Sequence, residues 1–201
     1  VTNMSSRYQN NKVFCLVGPS GAGKDTIKDL LPIPHLVSYR TRPKRHFEIE
    51  GVHGYFIDED TFQEFKKHNW IAAETFYAGY HYCTLWDQFK ALEYHPLIYV
   101  VDWNGVESLK KAFYEDPFFS PHQIVSIYID SSTRSLKKRM KKQGRTKEEI
   151  QQRLKQIEEI DRPAAKKCDY VVENIDHQLT STLDFIQSII LFEQYGHYKN
   201  I

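Results

Sequence analysis

The stretch GPSGAGKDT, residues 18–26, packs glycines, a lysine, an aspartate and a threonine into one short run. Glycines at 18, 21 and 23 permit backbone angles that leave successive N–H groups pointing inward, toward an anion. An apolar run precedes this loop and a helical stretch follows it, which adds the positive end of a helix. That chemistry suits the phosphates of a nucleoside triphosphate. Gly18, Ser20, Gly21, Ala22 and Gly23 would form the cradle, and Lys24 would bring a point charge to the β- and γ-phosphates. The bland alternative is a tight strand-to-helix turn with a surface lysine. Asp25 is the unusual letter, because such loops ordinarily place Ser or Thr after the lysine to hold Mg²⁺. An acidic residue there favours the helix dipole by about 0.3–1 kcal/mol. Beside a polyphosphate, however, an unpaired carboxylate repels the ligand unless a cation lies between them. Asp25 is therefore expected in the Mg²⁺ shell, with the Thr26 hydroxyl nearby, since Mg²⁺ takes hard oxygen ligands.

Two further basic groups could handle phosphate. In YRTRPKR, Arg40, Arg42, Lys44 and Arg45 fall within six residues. Arginine meets phosphate oxygens in a bidentate fork, so the cluster reads as a phosphate clamp or, more blandly, as a solvated charged face. In KKRMKKQGRTKEEIQQRL, Thr146 and Glu149 have capping-box spacing, so a new helix starts after a short glycine turn. The resulting helical hairpin carries Arg139, Arg145 and Arg153. A hairpin of this kind closing over a transferring phosphoryl group would exclude water and neutralise charge; otherwise it is an ordinary surface hairpin. Asp102 ends the apolar run LIYVVD, at the carboxyl edge where ligands sit in open α/β sheets. It would meet the base or the metal's water shell there, or simply cap the next helix.

The elements that must position these groups follow from hydrophobic periodicity. KVFCLV (12–17), LIYVVD (97–102), IVSIYID (124–130) and YVV (170–172) read as buried strands, and HLVS (35–38) as a candidate strand. Helical patterns lie between them at 104–115, 133–142, 147–160 and 176–193. Strands alternating with helices imply an α/β fold with a doubly wound parallel sheet. Residues 39–83 differ: aromatic, alternating segments surround one helical stretch, DTFQEFKKHN, which suggests a small mixed α+β lobe inserted into the core.

Composition bounds the rest. The chain has 201 residues, 41% hydrophobic and 26% charged, with a net charge of +1. That fits one globular domain and gives no general attraction to nucleic acid or an anionic membrane. Cys15, Cys83 and Cys168 lie far apart and read as reduced thiols, so no disulfide framework and no zinc spacing is expected. The polar start VTNMSSRYQNN lacks the apolar core of a signal peptide, and no stretch approaches the ~20 apolar residues of a membrane span. A cytoplasmic location is expected.

The order GPSGAGK, VSYRTRPKR, EIEGVHGYF, AGYHYCT, VVDWNGV and KKRMKKQGRTKEEIQQRL resembles the guanylate kinases over about residues 12–190. The resemblance implies a P-loop domain spanning 1–201, with a core at 12–38 and 84–193. It also implies a nucleoside-monophosphate-binding lobe at about 39–83 and a helical lid at about 139–153. ATP and Mg²⁺ would serve as donor and cofactor, a GMP-like monophosphate as acceptor, and the protein would be a monomer or homodimer. Position by position, Arg42 and Arg45 match arginines that hold the acceptor phosphate. Ser38 and Thr84 match hydroxyls that contact guanine. Tyr82 matches an acceptor-site tyrosine, Asp102 an acidic residue at the end of the central strand, and Arg153 a lid arginine.

Four positions depart from the pattern. Asp25 replaces Ser. Gln143 replaces the lid Arg, with Arg145 just after the glycine and the turn one residue shorter. The phosphate-contacting tyrosine falls on Gly54, with Tyr55 one place later. The glutamate that reads guanine falls on Ala73, with Glu74 adjacent. One step along a strand points to the opposite face, so only a bulge or register shift would return Glu74 to the base. These departures leave room for a ribose bisphosphate phosphokinase or another altered-acceptor kinase of the same fold. A non-catalytic guanylate-kinase-like binding module is the alternative of a different class. The reading that fits most motifs is γ-phosphoryl transfer from ATP to GMP or dGMP.

Overall fold

The computed structural model describes residues 11–77 and 79–196; the start of the polar N-terminal stretch lies outside them. Along the chain come β1 (Val13–Val17), α1 (Lys24–Leu30), β2 (Tyr39–Arg40), β3 (Tyr55–Phe56) and α2 (Glu59–Lys67). Next are β4 (Ile71–Tyr77), β5 (Tyr80–Leu85), α3 (Trp86–Phe89), β6 (Leu97–Val100) and α4 (Trp103–Glu115). The rest are β7 (Ile124–Asp130), α5 (Thr133–Lys142), α6 (Lys147–Gln156), α7 (Arg162–Ala165), β8 (Tyr170–Glu173) and α8 (Leu179–Tyr195). They fall into two compact units.

One unit comprises the described residues up to Val13, Ile33–Tyr99 and Trp103–Ile124. Its sheet has the order β3–β2–β5–β4. The β2–β3 pair is parallel, whereas β2–β5 and β4–β5 are antiparallel. Helix α2 starts on Asp58, whose carboxylate accepts the Thr61 N–H at 2.8 Å. Its single buried residue, Phe62, stacks on His81 of β5 at 4.2 Å between ring centres. The Gln88 side chain accepts the Leu85 N–H and donates to the Val37 carbonyl, each at 2.9 Å, and so ties the approach to Ser38 to the end of β5. Residues 35–38 do not form the expected strand. His35 makes one isolated bridge to Ile98, closed by the Leu36 N–H to the Ile98 carbonyl and the Ile98 N–H to the Pro34 carbonyl, and the ladder does not continue. Behind them Trp86, Phe89, Phe113 and Phe119 make an aromatic core, with Phe113 and Phe119 stacked at 4.6 Å.

The other unit comprises Phe14–Pro32, Val100–Asp102 and Val125 onward. Strand order is β6–β1–β7–β8, and it is the carboxyl end of β6 that enters this unit, where the Val101 N–H donates to the Leu16 carbonyl at 3.2 Å. Strand β8 lies parallel to β7, from Ile127 opposite Tyr170 to Asp130 opposite Glu173. All five side chains of β1 are buried, as the unbroken apolar run requires of a strand covered on both faces. The expected capping box opens α6: Thr146 accepts the Glu149 N–H at 3.2 Å, and Glu149 accepts the Thr146 N–H at 2.8 Å. That helix does not run on to residue 160 as an α-helix. It widens into a π-turn over Ile157–Asp161 before α7, so one extra residue is accommodated there.

Candidate active site

The loop after β1 is held from within and from behind. The Lys24 ammonium donates to the carbonyls of Gly18 at 2.6 Å and Pro19 at 2.9 Å, and the Ala22 N–H donates to the Pro19 carbonyl at 3.1 Å. Arg139 from α5 donates to the Gly21 carbonyl at 3.0 Å, to Ser131 Oγ at 3.2 Å and to Asp176 at 2.7 Å. Asn174, just past β8, donates to the Ala22 carbonyl at 2.7 Å. This close approach explains Gly23: its φ is +96°, and a Cβ there would lie 2.5 Å from Asn174 Nδ2. Ser20 is partly exposed in the loop, while Asp25 and Thr26 are exposed in the first turn of α1. Arg139, expected in a closing lid, here donates to groups of the loop and of the segments behind it.

Lys24 lies in a field of carboxylates. Burial pushes its ammonium below the ordinary lysine value, and Asp25 and Asp161 oppose that shift. Burial likewise raises Asp161, with Lys24 and Arg153 lowering it and Asp102 raising it further. Asp161, Asp102, Arg153 and Lys24 thus belong to one electrostatic group. Asp161 did not emerge from the sequence, because continuous α-helical spacing gives no reason to single it out; the π-turn changes its direction relative to α6. Asn174 was also missed. Its only signal is its place directly after an apolar strand.

The second group of candidate site residues lies on the other unit's sheet. Arg42 is buried and forms a bidentate pair with the buried carboxylate of Glu48, with Nη1 to Oε2 at 2.7 Å. The Arg45 N–H donates to Glu48 at 2.8 Å. These contacts hold the Glu48 carboxyl far down, at about 2, with the Arg42 hydrogen bond as the largest cause. Ser38 is buried and accepts from Arg40 at 2.9 Å. Tyr82 pairs with Arg40 across the β2–β5 ladder, and Arg40 lies over its ring at 5.7 Å. Thr84 pairs with Ala73, and its buried hydroxyl has no hydrogen-bond partner. Tyr82 and Thr84 share a face of β5. Arg40, across from Tyr82, reaches Ser38 and, with Arg42, lies over the Phe56 ring, so these side chains gather on one side of the sheet.

Tyr55 and Glu74 do not join them. Tyr55 pairs with Tyr39 and stacks on its ring at 4.7 Å, on the opposite face. A register shift does occur in β4, between Ile71 and Ala73. Beyond it, Ala73 faces Thr84 and Glu74 faces Cys83. The Glu74 carboxylate meets His81 Nδ1 at 2.8 Å and Lys66 at 3.2 Å, over α2. The bulge thus leaves Ala73, not Glu74, beside Thr84. Of the remaining arginines, Arg45 is exposed, and Arg145 in the α5–α6 turn donates to Gln143 at 3.5 Å.

A glycine-rich loop with its lysine folded onto loop carbonyls, at the end of a buried strand, marks a P-loop nucleotide-binding fold. The comparisons agree and go further. A family described as guanylate kinase matches residues 10–191. The guanylate kinase of Paraburkholderia xenovorans is 30% identical over 86% of this chain and 77% of its own length. That of Chromobacterium violaceum is 32% identical, over 88% and 84%. Among solved structures, guanylate kinase from Anaplasma phagocytophilum shares the fold with a TM-score of 0.70, at 23% identity over 92% of this chain and 87% of that one. The chain belongs to the guanylate kinase family.

Proposed function

We propose that this protein transfers the γ-phosphoryl group of ATP to GMP or dGMP, giving ADP and the nucleoside diphosphate. The observation that carries the reading is the buried Arg42–Glu48 pair, set on one face with Ser38, Tyr82 and Thr84. It provides an acceptor-phosphate site distinct from the Lys24 loop. The attacking oxygen belongs to a phosphate and is already anionic, so no strong base is needed. Positioning and charge neutralisation supply the catalysis. Lys24 and the loop N–H groups hold the donor, Arg42 and Arg45 the acceptor, and Arg139, Arg145 and Arg153 act from the α5–α6 lid at about 139–153. The acceptor lobe spans about 39–83, within a single guanylate-kinase-like domain.

Mg²⁺ fits this donor set. Among the described residues, no three His, Cys, Asp or Glu side chains gather into a closed cage. Mg²⁺ keeps waters and takes few protein ligands, which hard oxygens such as the Asp25 carboxylate and the Thr26 hydroxyl suit. Asp25 and Thr26 would hold it, with Asp102 reaching its water shell. When bound, it neutralises charge shared by the β- and γ-phosphates. Among the described residues no helix is long and apolar enough to cross a membrane. A cytoplasmic enzyme, monomeric or homodimeric, is proposed.

The test is ADP release with ATP and Mg²⁺ against GMP, dGMP, AMP, CMP, UMP, dTMP and ribose 1,5-bisphosphate. Turnover concentrated on GMP and dGMP is expected. Turnover confined to the sugar phosphate or another base would reassign the acceptor. ATP binding without turnover of any acceptor would point to a binding module.

A further inference from the structure

The acceptor face carries one cation more than its wiring explains. Arg40 and Arg42 stand two residues apart on the same strand edge, and both guanidinium groups lie over the ring of Phe56, at 5.6 and 5.3 Å. Both also point to Glu48, but unequally. Arg42 takes the carboxylate in a bidentate pair, whereas Arg40 Nη1 stays 3.9 Å away. One carboxylate therefore serves two buried or half-buried cations. The Arg40 Nε–H is buried and has no acceptor. Burial and then the neighbouring Arg42 both work against the charge on Arg40, and Glu48 and Tyr82 only partly offset them. A guanidinium does not discharge under such pressure, so the group keeps its charge.

The space for Arg40 is made by Gly54. A Cβ at residue 54 would lie 2.5 Å from Arg40 Nε and 2.8 Å from Cζ, so any larger residue there displaces the guanidinium. Residue 54 is also where the phosphate-contacting tyrosine of the guanylate kinase pattern falls. The long side chain at 40 and the missing side chain at 54 thus form one structural unit.

We propose that Arg40 is a third phosphate-binding arginine of the acceptor site, housed by Gly54 and acting beside Arg42 on the acceptor's phosphate. The inference rests on the proposed function, since it names a further contact to the same acceptor. An anionic phosphate supplies the counter-charge that Glu48 cannot give to both arginines, and the planar guanidinium fork suits its oxygens.

The experiment measures GMP and guanosine binding by calorimetry, and KM for GMP and ATP, in wild type, Arg40→Ala, Arg40→Lys, Gly54→Ala and the double variant Arg40→Ala/Gly54→Ala. Melting temperatures report folding. Arg40→Ala is expected to weaken GMP binding and raise its KM by roughly 10–100-fold, the range for a hydrogen bond to a charged group. Guanosine affinity and the KM for ATP should stay as in wild type, and Arg40→Lys should recover part of the loss. Gly54→Ala should weaken GMP binding by displacing Arg40, and should add little once Arg40 is already alanine. An Arg40→Ala protein with unchanged GMP affinity, in an enzyme that phosphorylates GMP, overturns the inference alone. Equal losses for GMP and guanosine overturn it too, since Arg40 would then act on the nucleoside or the fold. Wild type that neither binds nor phosphorylates GMP overturns the proposed function and this inference together. Should Arg40→Ala fail to fold, Arg40→Lys and Gly54→Ala carry the same comparison.

Discussion

The donor loop and the acceptor face both concentrate positive charge, yet they manage it in opposite ways. Around the loop, the polar groups are answered by the protein itself. Lys24 rests on two loop carbonyls, Arg139 spans Gly21, Ser131 and Asp176, and Asn174 reaches Ala22. On the acceptor face, Glu48 is shared, Arg40 Nε lacks an acceptor and the Thr84 hydroxyl lacks a partner. A loop that binds one invariant group, a polyphosphate, gains from being pre-tied. Unmet polar groups cost about 1–3 kcal/mol each, and such costs are tolerated where a ligand later answers them. Two of the chain's departures from the guanylate kinase pattern, Ala73 and Gly54, fall on this proposed acceptor face.

The largest effect should come from breaking the Arg42–Glu48 pair. Removing one partner of a buried ion pair costs about 3–5 kcal/mol. Arg42→Ala should therefore lower the unfolding free energy by that order in urea titration and raise the KM for GMP as well. The pair has a pH signature. Glu48 is depressed to about 2 in the folded state, from an ordinary value of 4.5. A depressed carboxyl stabilises the fold at pH above the ordinary value, and that stabilisation is lost as pH falls from about 4.5 through about 2. Glu48→Gln should flatten this part of the acid-unfolding curve. An unchanged curve would mean that the pair contributes little and that the acceptor face is organised by other contacts.

Next in size is the donor side. Lys24→Ala should reduce kcat by about 10²–10³-fold, the range for removing one preorganised charge from a transition state. Because the rest of the loop is tied by Arg139 and Asn174, the melting temperature should move little. Wild-type turnover by Lys24→Ala would remove the donor assignment altogether. A smaller effect is expected at the exposed Asp25. If it arranges the waters of Mg²⁺, Asp25→Ala should shift the Mg²⁺ dependence of activity upward by roughly tenfold. An unchanged dependence would return Asp25 to its role at the start of α1.

The same contrast explains what was legible in the sequence. The phosphate loop and the α/β alternation are local patterns: glycine spacing, apolar runs and a capping box are all read within a few residues. The partnerships that tune the site join distant segments. Asn174 meets Ala22 from the far end of the chain, and nothing in either segment names the other. Asp161 is redirected by a π-turn that an α-helical pattern does not show. Arg40 fits only because residue 54 lacks a side chain. Each depends on where backbones approach one another, which spacing along one strand or helix does not encode.

Glu74 puts that limit to its sharpest use. From the sequence alone it is the carboxylate nearest the guanine-reading position, and a bulge in β4 is the device that would bring it there. The structure has the shift, between Ile71 and Ala73, but Glu74 still emerges opposite Cys83 and binds His81 and Lys66 on the face away from Tyr82 and Thr84. That face is turned away from the proposed acceptor side chains Tyr82 and Thr84. Glu74→Gln keeps the shape and an acceptor for His81, so it should leave the KM for GMP within about a factor of 2, the range of a surface change away from a site. A rise near tenfold, with kcat and the KM for ATP unchanged, would mean that β4 shifts its pairing when the acceptor binds. In that event guanine would be read by a carboxylate after all, and the absence of a glutamate at 73 would no longer mark a change in how the base is recognised.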